Sequence, residues 1–133
     1  MNAFPRTEVG GVSLPRMLIG TNWFCGFSHT SKAKDDYIRA VMTPKRIADV
    51  IEVFLEAGID AIMGLGSRPE LRAAIQEAEQ RTGRKMVVIT TPAIDVGDSQ
   101  EAFDATARIF DEAAASGATF CFPHQCSTDA VID

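Results

Sequence analysis

Short apolar segments alternate with amphipathic helical patterns along this chain, and the alternation constrains its fold more than any other feature. The apolar segments occupy residues 17–21, 59–63, 86–91 and 119–122. A glycine that is typical of a helix end precedes each of the last three: Gly58, Gly83 and Gly117. Because strands and helices alternate strictly, the sequence predicts right-handed crossovers and a parallel sheet, hence an α/β fold.

Three helices are predicted between these segments. Thr43 is a good N-cap for the first, and Pro44 suits its first turn. The other two begin at sequences with capping-box spacing, Ser67-x-x-Glu70 and Asp98-x-x-Glu101. Apolar residues at helical spacing predict the stripes along the three helices: Ile47, Val50, Ile51, Phe54 and Leu55; Leu71, Ala74, Ile75 and Ala78; Phe103, Ala107, Phe110 and Ala114. Residues 127–129 resemble the cap of a fourth helix.

Two features precede the first of these helices. The runs 7–9 and 12–14 meet at Gly10-Gly11, a two-residue turn signal, so we expect a short β-hairpin before the first parallel strand. The stretch 20–42 then contains the single Trp and the single Tyr of the chain. Structureless connections longer than about 12–15 residues are uncommon, and they are usually functional or disordered. We therefore expect 20–42 to be a long loop that faces a ligand.

Composition excludes several classes of partner. A net charge of −5 and a pI of about 5.0 argue against a nucleic-acid footprint and against a polybasic membrane patch. No apolar run approaches the roughly 20 residues of a transmembrane helix, and the first residues lack the apolar core of a secretory signal. Three cysteines are an odd number that suits a reducing compartment. We expect a cytoplasmic protein whose partner is a small molecule.

The order of elements resembles the first half, strands one to four, of a (β/α)8 (TIM) barrel. Residues 12–21, Val-Ser-Leu-Pro-Arg-Met-Leu-Ile-Gly-Thr, are similar to the entry hairpin and first strand of aldo-keto reductases. That resemblance implies a single partial barrel domain over 1–133, and it places His124 near the family's histidine after the fourth strand. Residues 64–68 lack counterparts of its catalytic Asp and Tyr, and Thr90-Thr91-Pro92 stands where its lysine belongs. The resemblance thus implies the fold without the activity.

Candidate site residues follow from the same fold, because barrel chemistry lies where strands end and βα loops begin. Two of the polar residues at these positions are candidate catalytic groups, His124 and Asp95. The candidate substrate-binding residues are Asn22, His29, Lys34, Arg68, Thr91 and Gln125. Structural alternatives stand beside the functional ones, since a histidine can bond a neighbouring loop and an aspartate is routine in turns. Phe24 and Phe27 suit an anchor for the long loop better than a binding role.

The charge and chemistry of the ligand are less constrained. Five of the 13 basic residues lie within fifteen positions, which favours an anionic substrate or a solvated loop balanced by Asp35 and Asp36: Lys32, Lys34, Arg39, Lys45 and Arg46. The turn 64–67 is a weak candidate for holding phosphate on backbone N–H groups. Cysteine and histidine spacing matches no standard zinc pattern, so we expect no metal site. No motif identifies a cofactor.

Two functions are favoured by these patterns, and a barrel-like binding module without chemistry is a third alternative. In the first, the chain is part of a TIM-barrel metabolic enzyme, of unassigned reaction, that acts on a small anionic molecule at the C-terminal ends of the strands. In the second, it is a non-catalytic half-barrel that self-associates or pairs with a complementary half. A full barrel needs about 250 residues, and four parallel strands alone leave two open edges. A missing C-terminal half and a homo-oligomer are both open.

Overall fold

The computed structural model describes residues 4–64 and 68–132, and within them it shows a mixed α/β fold. An antiparallel hairpin precedes a parallel sheet of four strands in sequence order. The strands are β1 (Arg6–Val9), β2 (Val12–Pro15), β3 (Ile19–Gly20), β4 (Ala61–Gly64), β5 (Val87–Thr90) and β6 (Phe120–Cys121). The helices are α1 (Lys32–Val41), α2 (Pro44–Glu56), α3 (Pro69–Thr82), α4 (Gln100–Ala115) and α5 (Gln125–Asp129). The predicted parallel sheet and hairpin are confirmed.

The hairpin turns at the predicted glycines and is fastened to the start of β4. Gly10 and Gly11 have φ values of 56° and 78°, as a two-residue turn with both central residues left-handed requires. Arg6 reaches across to Asp60, with its Nη1 2.9 Å from Oδ1, and the same nitrogen donates to the carbonyl of Gly58. The hairpin therefore lies at the N-terminal ends of the strands.

The hydrophobic core lies between one face of the sheet and helices α2 and α3. Thr43 caps α2 by accepting a hydrogen bond from the backbone of Arg46, as predicted. Most of the two predicted stripes is buried there together with Ala48 of α2 and the strand residues that face the helices: Ile19, Ile47, Ala48, Ile51, Leu55, Ile62, Leu71, Ala74, Ile75 and Ala78. Helix α2 connects β3 to β4 and α3 connects β4 to β5, so the two crossover helices cover the same face of the sheet.

The predicted structureless loop 20–42 is wrong in its second half, because residues 32–41 form α1. Ser31 caps this helix by accepting from the backbone of Lys34. The exposed side chains of Lys32 and Asp36 pair one turn apart, at 2.6 Å. Ile38 is the residue that α1 buries, so the sequence lacks the apolar stripe that marks the other helices.

Several predicted boundaries also differ. The first parallel strand covers two residues, and Met17 and Leu18 are exposed. Helix α4 begins after Ser99, whose hydroxyl accepts from the backbone of Ala102, so the cap is not Asp98. Helix α5 begins at Gln125 rather than at 127–129. The N-cap of α3 is Arg68, which makes no side-chain cap bond, and the predicted cap Ser67 lies outside the described residues.

Helix α4 does not bury the predicted stripe. Phe103 is 64% exposed and Phe110 is 38% exposed, and Ala107 and Ala114 are exposed as well. The less exposed residues of the helix are instead Ala102, Ala105, Thr106, Ile109 and Ala113. Both phenylalanines of the predicted stripe are thereby left in solvent. In the two described ranges, no helix has both the length and the apolar character needed to cross a membrane.

Candidate functional site

A cavity of about 580 Å³ lies at the C-terminal ends of the parallel strands. Its wall is built from the ends of all four strands: Gly20, Thr21, Asn22, Trp23, Met63, Gly64, Thr91, Pro123, His124 and Gln125. Its size falls within the range of about 300–1,000 Å³ that is usual for small-molecule sites. Four of the eight predicted site residues therefore line one cavity, namely Asn22, Thr91, His124 and Gln125.

The wall beside β3 is shaped by a tight turn and by a side-chain pair. The carbonyl of Asn22 accepts from the backbone N–H groups of Cys25 and Phe27, at 3.2 and 2.8 Å. The side-chain Nδ2 of Asn22 donates to Nε2 of His29 over 2.8 Å. His29 adopts a left-handed backbone with φ of 57°. It lies behind Asn22, outside the residues that line the cavity, and thus positions the amide rather than forming the wall.

Helix α1 holds this turn in place through Asp35. The Asp35 carboxylate accepts from both the hydroxyl and the backbone N–H of Ser28, at 2.6 and 2.7 Å. The hydroxyl bond from Ser28, followed by the bond from its backbone, lowers the pKa of Asp35. We predicted that Asp35 balances basic residues in a solvated loop. The structure shows instead that Asp35 bonds Ser28 and so fastens α1 to the residues before it.

Trp23 is a lining residue that sequence reasoning did not assign to the site. It is 52% exposed, and Nζ of Lys34 lies 5.1 Å from the centre of its ring. This cation–π contact brings the predicted binding residue Lys34 to the rim of the cavity without placing it in the wall. Phe24 packs against the core, which agrees with the predicted anchoring role. Phe27 lies against Arg68, 5.4 Å from its guanidinium carbon.

His124 occupies the wall after β6 in a defined orientation. As the N-cap of α5, it accepts a hydrogen bond at Nδ1 from the backbone N–H of Cys126, over 3.2 Å. An accepting Nδ1 carries a lone pair, so the neutral ring has its proton on Nε2. His124 can therefore donate from Nε2 to a ligand. Gln125 and Thr91 add an amide and a hydroxyl to the same cavity.

Two predicted site residues lie elsewhere. Asp95 is exposed, and its carboxylate accepts from the backbone N–H of Gly97 over 3.0 Å, which is the turn role considered as the alternative. Arg68 lines a separate cavity of about 330 Å³, together with Cys25 and Arg39. The structure therefore does not bring Asp95 or Arg68 to the larger cavity. The predicted phosphate turn falls on residues 65–67, which lie outside the described ranges.

The chemistry of the cavity wall favours ligands that accept hydrogen bonds. None of the described residues that line the cavity is acidic, and several of them have side chains that can donate hydrogen bonds, among them Asn22, Trp23, Thr91, His124 and Gln125. Among the described residues, no three His, Cys, Asp or Glu side chains are grouped to hold a metal ion. The arrangement is suited to an oxygen-rich small molecule, with one histidine able to exchange a proton.

The chain matches no protein-family model, no curated protein and no solved structure. Function must therefore be inferred from the geometry and chemistry of the site.

Proposed function

We propose that this chain is the first half of a (β/α)8-barrel metabolic enzyme that binds a small anionic molecule at the C-terminal ends of its strands. The observation that carries the proposal is the convergence of Asn22, Thr91, His124 and Gln125 on one cavity. Strands β3 to β6 are neighbours in chain order, as in a barrel, and the hairpin lies at their opposite ends. His124 would supply a hydrogen bond or a proton through Nε2.

Replacing His124 by Asn tests this site. Asparagine is a good N-cap, so His124→Asn preserves the cap of α5 and removes the Nε2 donor. Trp23, the single tryptophan, reports binding by its fluorescence. We expect inorganic phosphate or malonate to change this fluorescence saturably in the unaltered chain. The variant should bind about 10–100-fold more weakly, because a hydrogen bond to a charged group contributes about 1.5–3 kcal/mol.

Asp95→Asn is the matched control, since Asp95 lies outside the cavity wall. It should leave the affinity unchanged, and neutral glycerol should give no saturable signal. A response to glycerol equal to that of phosphate would contradict an anion site. Equal losses of affinity in His124→Asn and Asp95→Asn would contradict the assignment of this cavity.

Self-association is a second candidate function, favoured by the apolar surface that the sheet leaves uncovered. Alternate strand residues point to opposite faces, so the face away from α2 and α3 carries Met63, which is 38% exposed. Phe122 is 48% exposed, and its ring stacks on that of Phe120 with the ring centres 6.3 Å apart. Among the described residues, β3 pairs with β4 alone and β6 with β5 alone, which leaves two open edges.

The mass in solution discriminates between these functions. If two copies complete one another, sedimentation equilibrium should give a dimer, and Phe122→Asp should shift it toward monomer by placing a charge in the apolar contact. Val131→Asp is the control, because Val131 is 62% exposed and follows helix α5 rather than a strand of the sheet. A folded monomer at all accessible concentrations would rule out self-association.

A further inference from the structure

Cys126 carries an exposed thiol in contact with the cavity-lining His124. Its Sγ lies 3.1 Å from Nδ1 of the ring. The backbone N–H of Cys126 donates to the same nitrogen, so Nδ1 holds a lone pair and the thiol can only donate toward it. The histidine is thereby oriented as a base for the proton of this thiol, which is the arrangement that activates a cysteine nucleophile.

The other two cysteines lack this arrangement. Cys25 is buried, and desolvation raises the pKa of its thiol, which disfavours the thiolate. Cys121 is half-buried within β6. The second histidine of the chain, His29, bonds Asn22 instead. Cys126 therefore combines solvent access with a histidine base, and the other thiols serve as internal references.

We propose that Cys126 is a nucleophile, with His124 as its base, that attacks an activated acyl group held against His124 at the edge of the cavity of the strand ends. The location of the acyl group rests on the proposed function, because His124 joins the thiol to that cavity. In the attack, Sγ forms a bond to the carbonyl carbon while its proton passes to Nδ1, which releases the hydrogen bond from the backbone N–H of Cys126 as it takes the proton. The bond from carbon to the ester or thioester leaving group then breaks, and the leaving group takes the electron pair and a proton from Nδ1.

The test is acylation of the full chain by p-nitrophenyl acetate, in which the thiolate acquires an acetyl group and p-nitrophenolate departs. Peptide mapping by mass spectrometry assigns the rate to each cysteine. Near neutral pH, we expect Cys126 to be acetylated at least about tenfold faster than Cys25 and Cys121, since Nδ1 of His124 lies 3.1 Å from its Sγ and can take the thiol proton during the attack. His124→Asn should remove most of this advantage.

Cys126→Ser provides the matched control. It should abolish the fast reaction and leave binding of phosphate to the cavity unchanged, because Cys126 is not a lining residue. An acetylation rate at Cys126 that is the same in His124→Asn would overturn the proposal, as would a rate equal to that of a free cysteine derivative. Either acetylation result would contradict the nucleophile without contradicting the anion site, because binding of phosphate to the cavity is measured separately. Failure of this proposal is therefore distinguishable from failure of the proposed function.

Discussion

Gly64→Ala is expected to lower the free energy of unfolding by roughly 2–6 kcal/mol, which combines left-handed backbone strain with overpacking. Gly64 ends β4 with φ of 134°, a conformation that side chains disfavour. A Cβ at this position would overlap Oγ1 of Thr21, which is 2% exposed at the end of the neighbouring strand. Because Thr21 is buried, it cannot swing into solvent to make room. Urea denaturation measures the loss.

Two other glycines separate the contributions to this loss. Gly20→Ala adds a Cβ to the same cavity wall, where no atom lies within 4 Å and φ is not positive, so stability should change by about 0.5 kcal/mol or less. Gly83→Ala also meets no atom but has φ of 68°, so it should cost roughly 1–2 kcal/mol from backbone strain alone. A Gly64 variant as stable as the Gly20 variant would contradict the close approach of β3 and β4.

Leu55→Ala is expected to cost about 2–5 kcal/mol, because the lost side chain would leave a cavity between α2, α3 and the sheet. Leu55 is fully buried and belongs to the cluster that contains Ile51 and Ile62. Val53→Ala, on the same helix, is the control, because Val53 is 65% exposed and should contribute about 0.5 kcal/mol or less. Equal midpoints of thermal unfolding for the two variants would place the core elsewhere.

The sequence predicts those elements whose local signals agree with their tertiary packing. The hairpin has a Gly10-Gly11 turn between two strand-forming runs, and α2 has an N-cap followed by apolar residues at helical spacing. Helix α1 was missed because it buries Ile38 alone and is marked by its Ser31 cap and its ion pairs. Those polar signals could have identified it.

The candidate site was predictable at the level of strand ends, but not in its side-chain geometry. Parallel strands bring their C-terminal ends together, so Asn22, Thr91, His124 and Gln125 could be grouped from topology alone. The sequence could not show that Asp95 bonds its own turn, since the same residue type serves both roles. The exposure of the apolar stripe of α4 could not be predicted either, because the spacing of apolar residues does not show whether another element packs against them.

The central claim is that the strand ends form an anion site. The most direct test is an NMR titration with inorganic phosphate that follows the shifts of the backbone amides. The largest ¹H–¹⁵N shift changes should fall at Asn22, Trp23, Thr91 and Gln125, which line the cavity from β3, β5 and β6. They should saturate together with one affinity. Shift changes confined to Arg39 and Arg68, around the second cavity, would contradict the account, as would unsaturable changes spread over the surface lysines.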